Sequence, residues 1–228
     1  YSTVYHDVML TVSSPPAPTP PPVANTVGLY QPTSAIWLFR DTASAGQADV
    51  RFRFGNNPAQ HPVVGDWDGD GVDGIGLVKD GLWLLRNTAT SGSPDLRLRF
   101  HPVAEGIPVA GDWFDNAYDS PALYKDGIYY LRHSNEHNAH HLAVPFGPQG
   151  TNWAPITGDW DGDGRDTIGL FLDGTWRLRN ANSPGIVDLG FNFGNAGIPL
   201  TRYQGGMAAL SALAQPPLAI ETTQTEIT

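Results

Sequence analysis

The chain runs to 228 residues with a formal net charge of -10, set by 23 acidic against 13 basic side chains. Such a balance argues against nucleic acid, because phosphate binding needs clustered Lys and Arg, and the lack of cysteine removes disulfide frameworks and thiolate metal or redox sites. No stretch of 18 or more apolar residues exists, so no helical membrane span is expected. The start at Tyr1, without Met or a signal-peptide pattern, reads as a processed or partial chain.

Residues 1–14, YSTVYHDVMLTVSS, carry the β-branched and aromatic residues of a strand. A Pro-rich linker comes next at 15–25, and its PPAPTPPP core predicts a semi-rigid polyproline II spacer. Such an arm holds the first strand away from the rest of the chain. It reads either as an assembly strand or as the end of an upstream domain.

From residue 26 the chain repeats. Gly-Asp-Trp recurs at Gly65, Gly111 and Gly158, and strands of the type VGLY, IGLV, PALY and IGLF recur around Gly28, Gly76, Ala122 and Gly169, at intervals of 46 to 48 residues. Each copy continues with a short turn, then IWLFRD, LWLLRN, IYYLRH or TWRLRN. After a polar loop come VRFRFG, LRLRFH, LAVPFG or LGFNFG, and last PVVGDW or its equivalent. In Val50 to Phe54 and Leu96 to Phe100, apolar residues alternate with arginine, as a half-buried antiparallel strand requires.

Four strands per copy at this period predict an all-β fold, a β-propeller of four four-stranded blades over residues 26–206. A solenoid or a two-sheet sandwich is the alternative. The last copy ends PLTRYQGG at 199–206, whereas the first begins without a preceding strand. Residues 199–203 are therefore expected to pair beside 27–31 and close the ring, which removes sheet edges. The tail at 207–228 ends in another strand-like segment and is a candidate intersubunit strand.

The loop after the first Gly-Asp-Trp reads Asp66, Trp67, Asp68, Gly69, Asp70, Gly71, Val72, Asp73, and the third reads Asp159, Trp160, Asp161, Gly162, Asp163, Gly164, Arg165, Asp166. Calcium takes six to eight oxygens, and a tight loop with acids at positions one, three and five and glycine at six can wrap that sphere. Position seven, Val72 or Arg165, would contribute its backbone carbonyl, and Asp73 or Asp166 would close the set. A metal-free Asp-Gly turn is the plainer reading, but four carboxylates in eight residues repel one another without a cation. The second loop, Asp112 to Asp119, has Phe114 at position three and no glycines, so a third calcium site is expected to be weak or empty.

GDWDGDGVDGIGLV and GDWDGDGRDTIGLF, preceded by RFG or PFG and PVVGDW or APITGDW, resemble the FG-GAP and VCBS repeats of integrin α-subunits and of bacterial extracellular proteins. The likeness covers roughly residues 26–206. It implies propeller blades and structural calcium at Asp66, Asp68, Asp70, Asp73, Asp159, Asp161, Asp163 and Asp166, with an extracellular or cell-surface location.

His133, His137, His140 and His141 crowd one loop without regular spacing and read as a solvated loop rather than a transition-metal site. Trp37, Trp83, Tyr129 and Trp176 share one repeat position and read as blade packing rather than a sugar platform. No Ser-His-Asp or Cys-His set, phosphate loop or acid pair stands outside the acidic loops, so an enzyme is not expected. The expected function is a calcium-stabilised structural subunit of a surface filament or adhesive stalk, self-associating through residues 1–22 and 207–228. The alternative is a carbohydrate- or ligand-binding propeller of a larger secreted protein, with glycans as partners.

Overall fold

The computed structural model describes residues 27–40, 46–56, 60–150 and 152–194. The N-terminal strand, the Pro-rich linker, the closing strand at 199–203 and the tail lie outside them.

Four small antiparallel sheets form a four-bladed β-propeller, and there is no helix among the described residues. Blade 1 contains β1 (Val27–Gln31), β2 (Ile36–Arg40) and β3 (Val50–Arg53). Blade 2 contains β4 (His61–Gly65), β5 (Gly74–Lys79), β6 (Leu82–Arg86) and β7 (Leu96–Arg99). Blade 3 contains β8 (Ile107–Gly111), β9 (Ser120–Lys125), β10 (Ile128–Arg132) and β11 (His141–Pro145). Blade 4 contains β12 (Ala154–Gly158), β13 (Thr167–Leu172), β14 (Thr175–Leu178) and β15 (Leu189–Asn192).

Strands within each blade pair in chain order. A sheet therefore begins with the Gly-Asp-Trp strand, one strand ahead of the sequence repeat as it is read from Val27. The inner strands β4, β8 and β12 lie side by side, and Thr157 Oγ1 on β12 donates to Ala110 O on β8 at 3.1 Å.

Local chemistry explains the hairpins. Asp80-Gly81, Asp126-Gly127 and Asp173-Gly174 join the second and third strands of blades 2 to 4, and all six residues have positive φ, as a two-residue I′ turn demands. An arginine at the end of the third strand organises the next loop. Arg86 donates to Thr90 O at 3.0 Å and Ser93 O at 2.6 Å. Arg132 donates to the carbonyls of Ser134 and Glu136, and Arg179 to those of Ser183 and Ile186.

The core lies between blades. Trp37 and Phe54 of blade 1 pack on Ile75 and Leu77 of blade 2. Trp83, Leu98 and Phe100 of blade 2 pack on Leu123 of blade 3, and Tyr129, Val144 and Phe146 of blade 3 pack on Ile168 and Leu170 of blade 4. Trp37, Trp83 and Tyr129 are buried, so the repeated aromatic position is a packing position there. The fourth cluster, Ile156, Phe171 and Leu178 with Trp160 and Trp176, is confined to blade 4. Leu29, the repeat equivalent of the buried Leu77, Leu123 and Leu170, is 58% exposed.

Candidate metal centre

Each acidic loop joins an inner strand to its neighbour, β4 to β5, β8 to β9 and β12 to β13. The first aspartate builds the loop. Asp66 Oδ1 accepts the Gly69 and Asp70 N–H groups at 2.8 and 3.2 Å, and Oδ2 accepts the Gly71 N–H at 2.8 Å. Asp159 does the same for Gly162, Asp163 and Gly164 at 2.7, 3.1 and 2.9 Å. Asp70 Oδ1 and Asp163 Oδ1 then accept the Val72 and Arg165 N–H groups at 2.8 and 2.9 Å. The turn needs positive φ at Gly69, Gly71, Gly162 and Gly164, which glycine supplies without steric cost.

This folding gathers carboxylates. Asp66, Asp68 and Asp70 each place an oxygen within 4.8 Å of the others, as do Asp159, Asp161 and Asp163. Oxygens on opposite sides of one calcium ion stand roughly 4.6 to 5.2 Å apart, so each trio fits within a single coordination sphere. The donor set is hard oxygen, suited to calcium rather than to a softer metal. Three backbone donors fill most of the lone pairs of Asp66, while Asp68 Oδ1 and Asp70 Oδ2 accept no hydrogen bond from the described residues. Asp68 Oδ2 accepts from Asn87 Nδ2 at 2.6 Å, which orients that carboxylate from the neighbouring loop.

The second loop keeps the backbone cradle without the acids. Asp112 accepts the N–H groups of Phe114, Asn116 and Ala117 at 3.4, 3.0 and 2.9 Å. Positions three and five are Phe114 and Asn116, and no carboxylate trio forms there. Asp115 and Ala117 take the positive φ that glycines take in the other two loops. Phe114 stacks on His133 with ring centroids 3.8 Å apart. Since His133 occupies the repeat position of Asn87, a ring pair has replaced the Asn-to-Asp hydrogen bond. His133 is thereby a packing residue, and none of the four clustered histidines enters a metal-holding group among the described residues.

Asp73 and Asp166, expected to close the two calcium sets, stand outside the trios. Asp166 faces the preceding blade: its Oδ2 accepts the Asp112 N–H at 3.0 Å, and its own N–H donates to Asp112 O at 3.0 Å. Asp119 binds Asp66 identically, at 2.9 and 2.6 Å. These bonds explain the glycine of Gly-Asp-Trp. A Cβ at Gly65 would lie 2.7 Å from Asp119 Oδ2, and one at Gly111 would lie 2.8 Å from Asp166 Cβ. Trp67 and Trp113 bury beneath, donating to Ile75 O at 3.2 Å and Ser120 O at 2.9 Å.

Sequence reasoning missed a further pair that latches the same seams. Asn135 Nδ2 donates to Trp67 O and Asp119 O at 3.2 and 2.8 Å, and Asn182 Nδ2 donates to Trp113 O and Asp166 O at 3.1 and 2.8 Å. Asp73, Asp119 and Asp166 sense one another electrostatically. Burial, then the charge of Asp166, pushes Asp119 up to about 8 against the pull of the Asp66 N–H. Burial followed by Asp66 raises Asp73, and burial raises Asp166 with help from Asp112, Asp159 and Asp73. Carboxylates crowded in this way gain from a nearby cation.

No family model, no curated protein and no solved structure matches this chain.

Proposed function

We propose that the chain is an extracellular structural protein, a calcium-stabilised propeller subunit of a surface filament or adhesive stalk assembled through its terminal segments. The observation that carries this reading is the pair of carboxylate trios, Asp66/Asp68/Asp70 and Asp159/Asp161/Asp163, set in loops whose first residues or neighbours are bonded across blade seams. A cation there braces contacts between blades rather than a reacting group. Loops of this openness, with Asp68, Asp70, Asp161 and Asp163 exposed, suit the 10⁻⁴ to 10⁻³ M range of affinities typical of extracellular modules, roughly matching the calcium outside cells. The resemblance of these loops to FG-GAP and VCBS repeats supports the same assignment, with Val72 and Arg165 contributing carbonyls beside the two trios. The strand-like residues 1–14 on a proline arm, and the tail at 207–228, supply the means of association.

Electron microscopy of the purified chain in calcium, beside a version lacking residues 1–22, tests this. Filaments or end-to-end chains that vanish on truncation are expected. Discrete particles in both samples would overturn the structural reading and favour a ligand-binding propeller, with a glycan screen as the next step.

A further inference from the structure

The four outer strands are not equivalent. Among the described residues each pairs on one side only and leaves a row of backbone groups open, a hazard that proteins blunt with charge or proline. β3 carries Arg51 and Arg53 and β7 carries Arg97 and Arg99, all exposed, while β11 ends in Pro145. β15 has neither: its residues are Leu189, Gly190, Phe191 and Asn192. The adjacent Asp188 is engaged by Arg179 at 3.1 Å.

The apolar residues of β15 are also uncovered. Phe54, Phe100 and Phe146 are buried at the ends of the other outer strands, whereas their equivalent Phe193 is 72% exposed, and Leu189 and Phe191 are exposed beside it. Phe193 holds its place as the others do, with its N–H donating to Gly174 O at 2.8 Å and its carbonyl accepting from Trp176 Nε1 at 3.0 Å. The strand is therefore ordered, unguarded and apolar on one face.

We infer that the free edge of β15 is the acceptor for a strand from a second copy of this chain, and that residues 1–14 of that copy are the donor. This rests on the assembly reading and names its contact. Val4, Val8, Leu10 and Val12 fall at even positions, so a paired strand would present them on one face and extend the sheet side bearing Leu189 and Phe191. Six prolines among residues 15–22 predict a polyproline II spacer of about 25 Å, with N–H groups left only at Ala17 and Thr19, and disfavour a return turn. That stiffness favours a neighbour over the chain's own blade 4. Donor and acceptor are different surfaces, so the contact is heterologous and propagates into an open chain.

The absence of cysteine makes the test clean. Full-length Val8→Cys, Leu10→Cys and Val12→Cys variants are each mixed with full-length Asn192→Cys under mild oxidation and run without reductant. At least one mixture should give a band at twice the 24.6 kDa chain mass, at least ten-fold stronger than the same donors give with Arg99→Cys on β7. No preference for Asn192 over Arg99 overturns the inference. So does a Leu10→Cys/Asn192→Cys double variant that forms only a fast-migrating monomer, because the strand then docks within its own chain. A charge placed on the edge by Asn192→Lys should weaken association at least ten-fold in sedimentation while leaving the thermal melt unchanged. If the chain assembles but ignores this change, the acceptor is wrong and the assembly reading stands. A chain that stays monomeric at every concentration removes both.

Discussion

Replacing Asp119 by Asn tests the account of the blade seam most directly. The amide keeps the volume and an oxygen that can accept the Asp66 N–H now bonded at 2.9 Å, but it cannot ionise. The unfolded chain titrates this carboxyl near 3.8, and the folded one at about 8 because of burial and the charges of Asp166, Asp73 and Asp66. Between those values the folded state binds more protons than the unfolded state. The contribution of that proton to stability is complete below the lower value, falls as the pH rises, and is gone above the upper one. The slope is about 1.4 kcal/mol per pH unit, so from pH 5 to pH 7 the wild type should lose roughly 2 to 3 kcal/mol more than Asp119→Asn. Denaturant unfolding in chelator at pH 5, 6, 7 and 8 measures the difference, with Asp73 and Asp166 present in both proteins. Parallel pH profiles would refute the placement of a buried, proton-holding carboxyl at this seam.

Calcium removal should lower stability by about 2.7 kcal/mol per occupied site at hundred-fold excess over Kd, or roughly 5 to 10 °C in Tm for a chain of this size. Asp68→Ala and Asp161→Ala should each abolish one such share in a thermal melt with and without chelator, while Asp115→Ala should leave the calcium effect intact. Ala117→Gly should raise stability by about 1 kcal/mol, because Ala117 holds a φ of 67° that costs little for glycine alone; an unchanged denaturation midpoint would contradict this. Gly111→Ala should cost about 1 to 3 kcal/mol, since the new Cβ meets Asp166 Cβ at 2.8 Å and forces the seam bond apart. Full stability in that variant would show the seam to be looser than this distance implies.

The propeller was legible because its signals are periodic. Alternation in Val50 to Phe54 marks a strand, and the recurrence of Gly65, Gly111 and Gly158 marks the blade, neither of which depends on distant contacts. The carboxylate trios were legible for the same reason: Asp66, Asp68 and Asp70 are local, and one loop brings them together. What crosses a seam was not. Asp119 and Asp166 look like loop-closing acids in the sequence, yet their partners lie 53 and 54 residues away. Arg86, Arg132 and Arg179 recur as regularly as the tryptophans and their staple role could have been suspected. Asn135 and Asn182 could hardly be, because the equivalent positions in the other copies, Ala43 and Ala89, carry no amide.

The offset of the seam bonds bears on how such a chain can change its length. Asp119 belongs to one copy and Asp66 to the copy before it, and Asp166 stands in the same relation to Asp112. Duplicating or deleting a whole copy by unequal recombination regenerates both ends of every such bond, because each newcomer brings the lock for its predecessor and the keyhole for its successor. Blade number is therefore easy to alter in evolution or in design, whereas a single excised copy is left holding a carboxylate with nothing to bind.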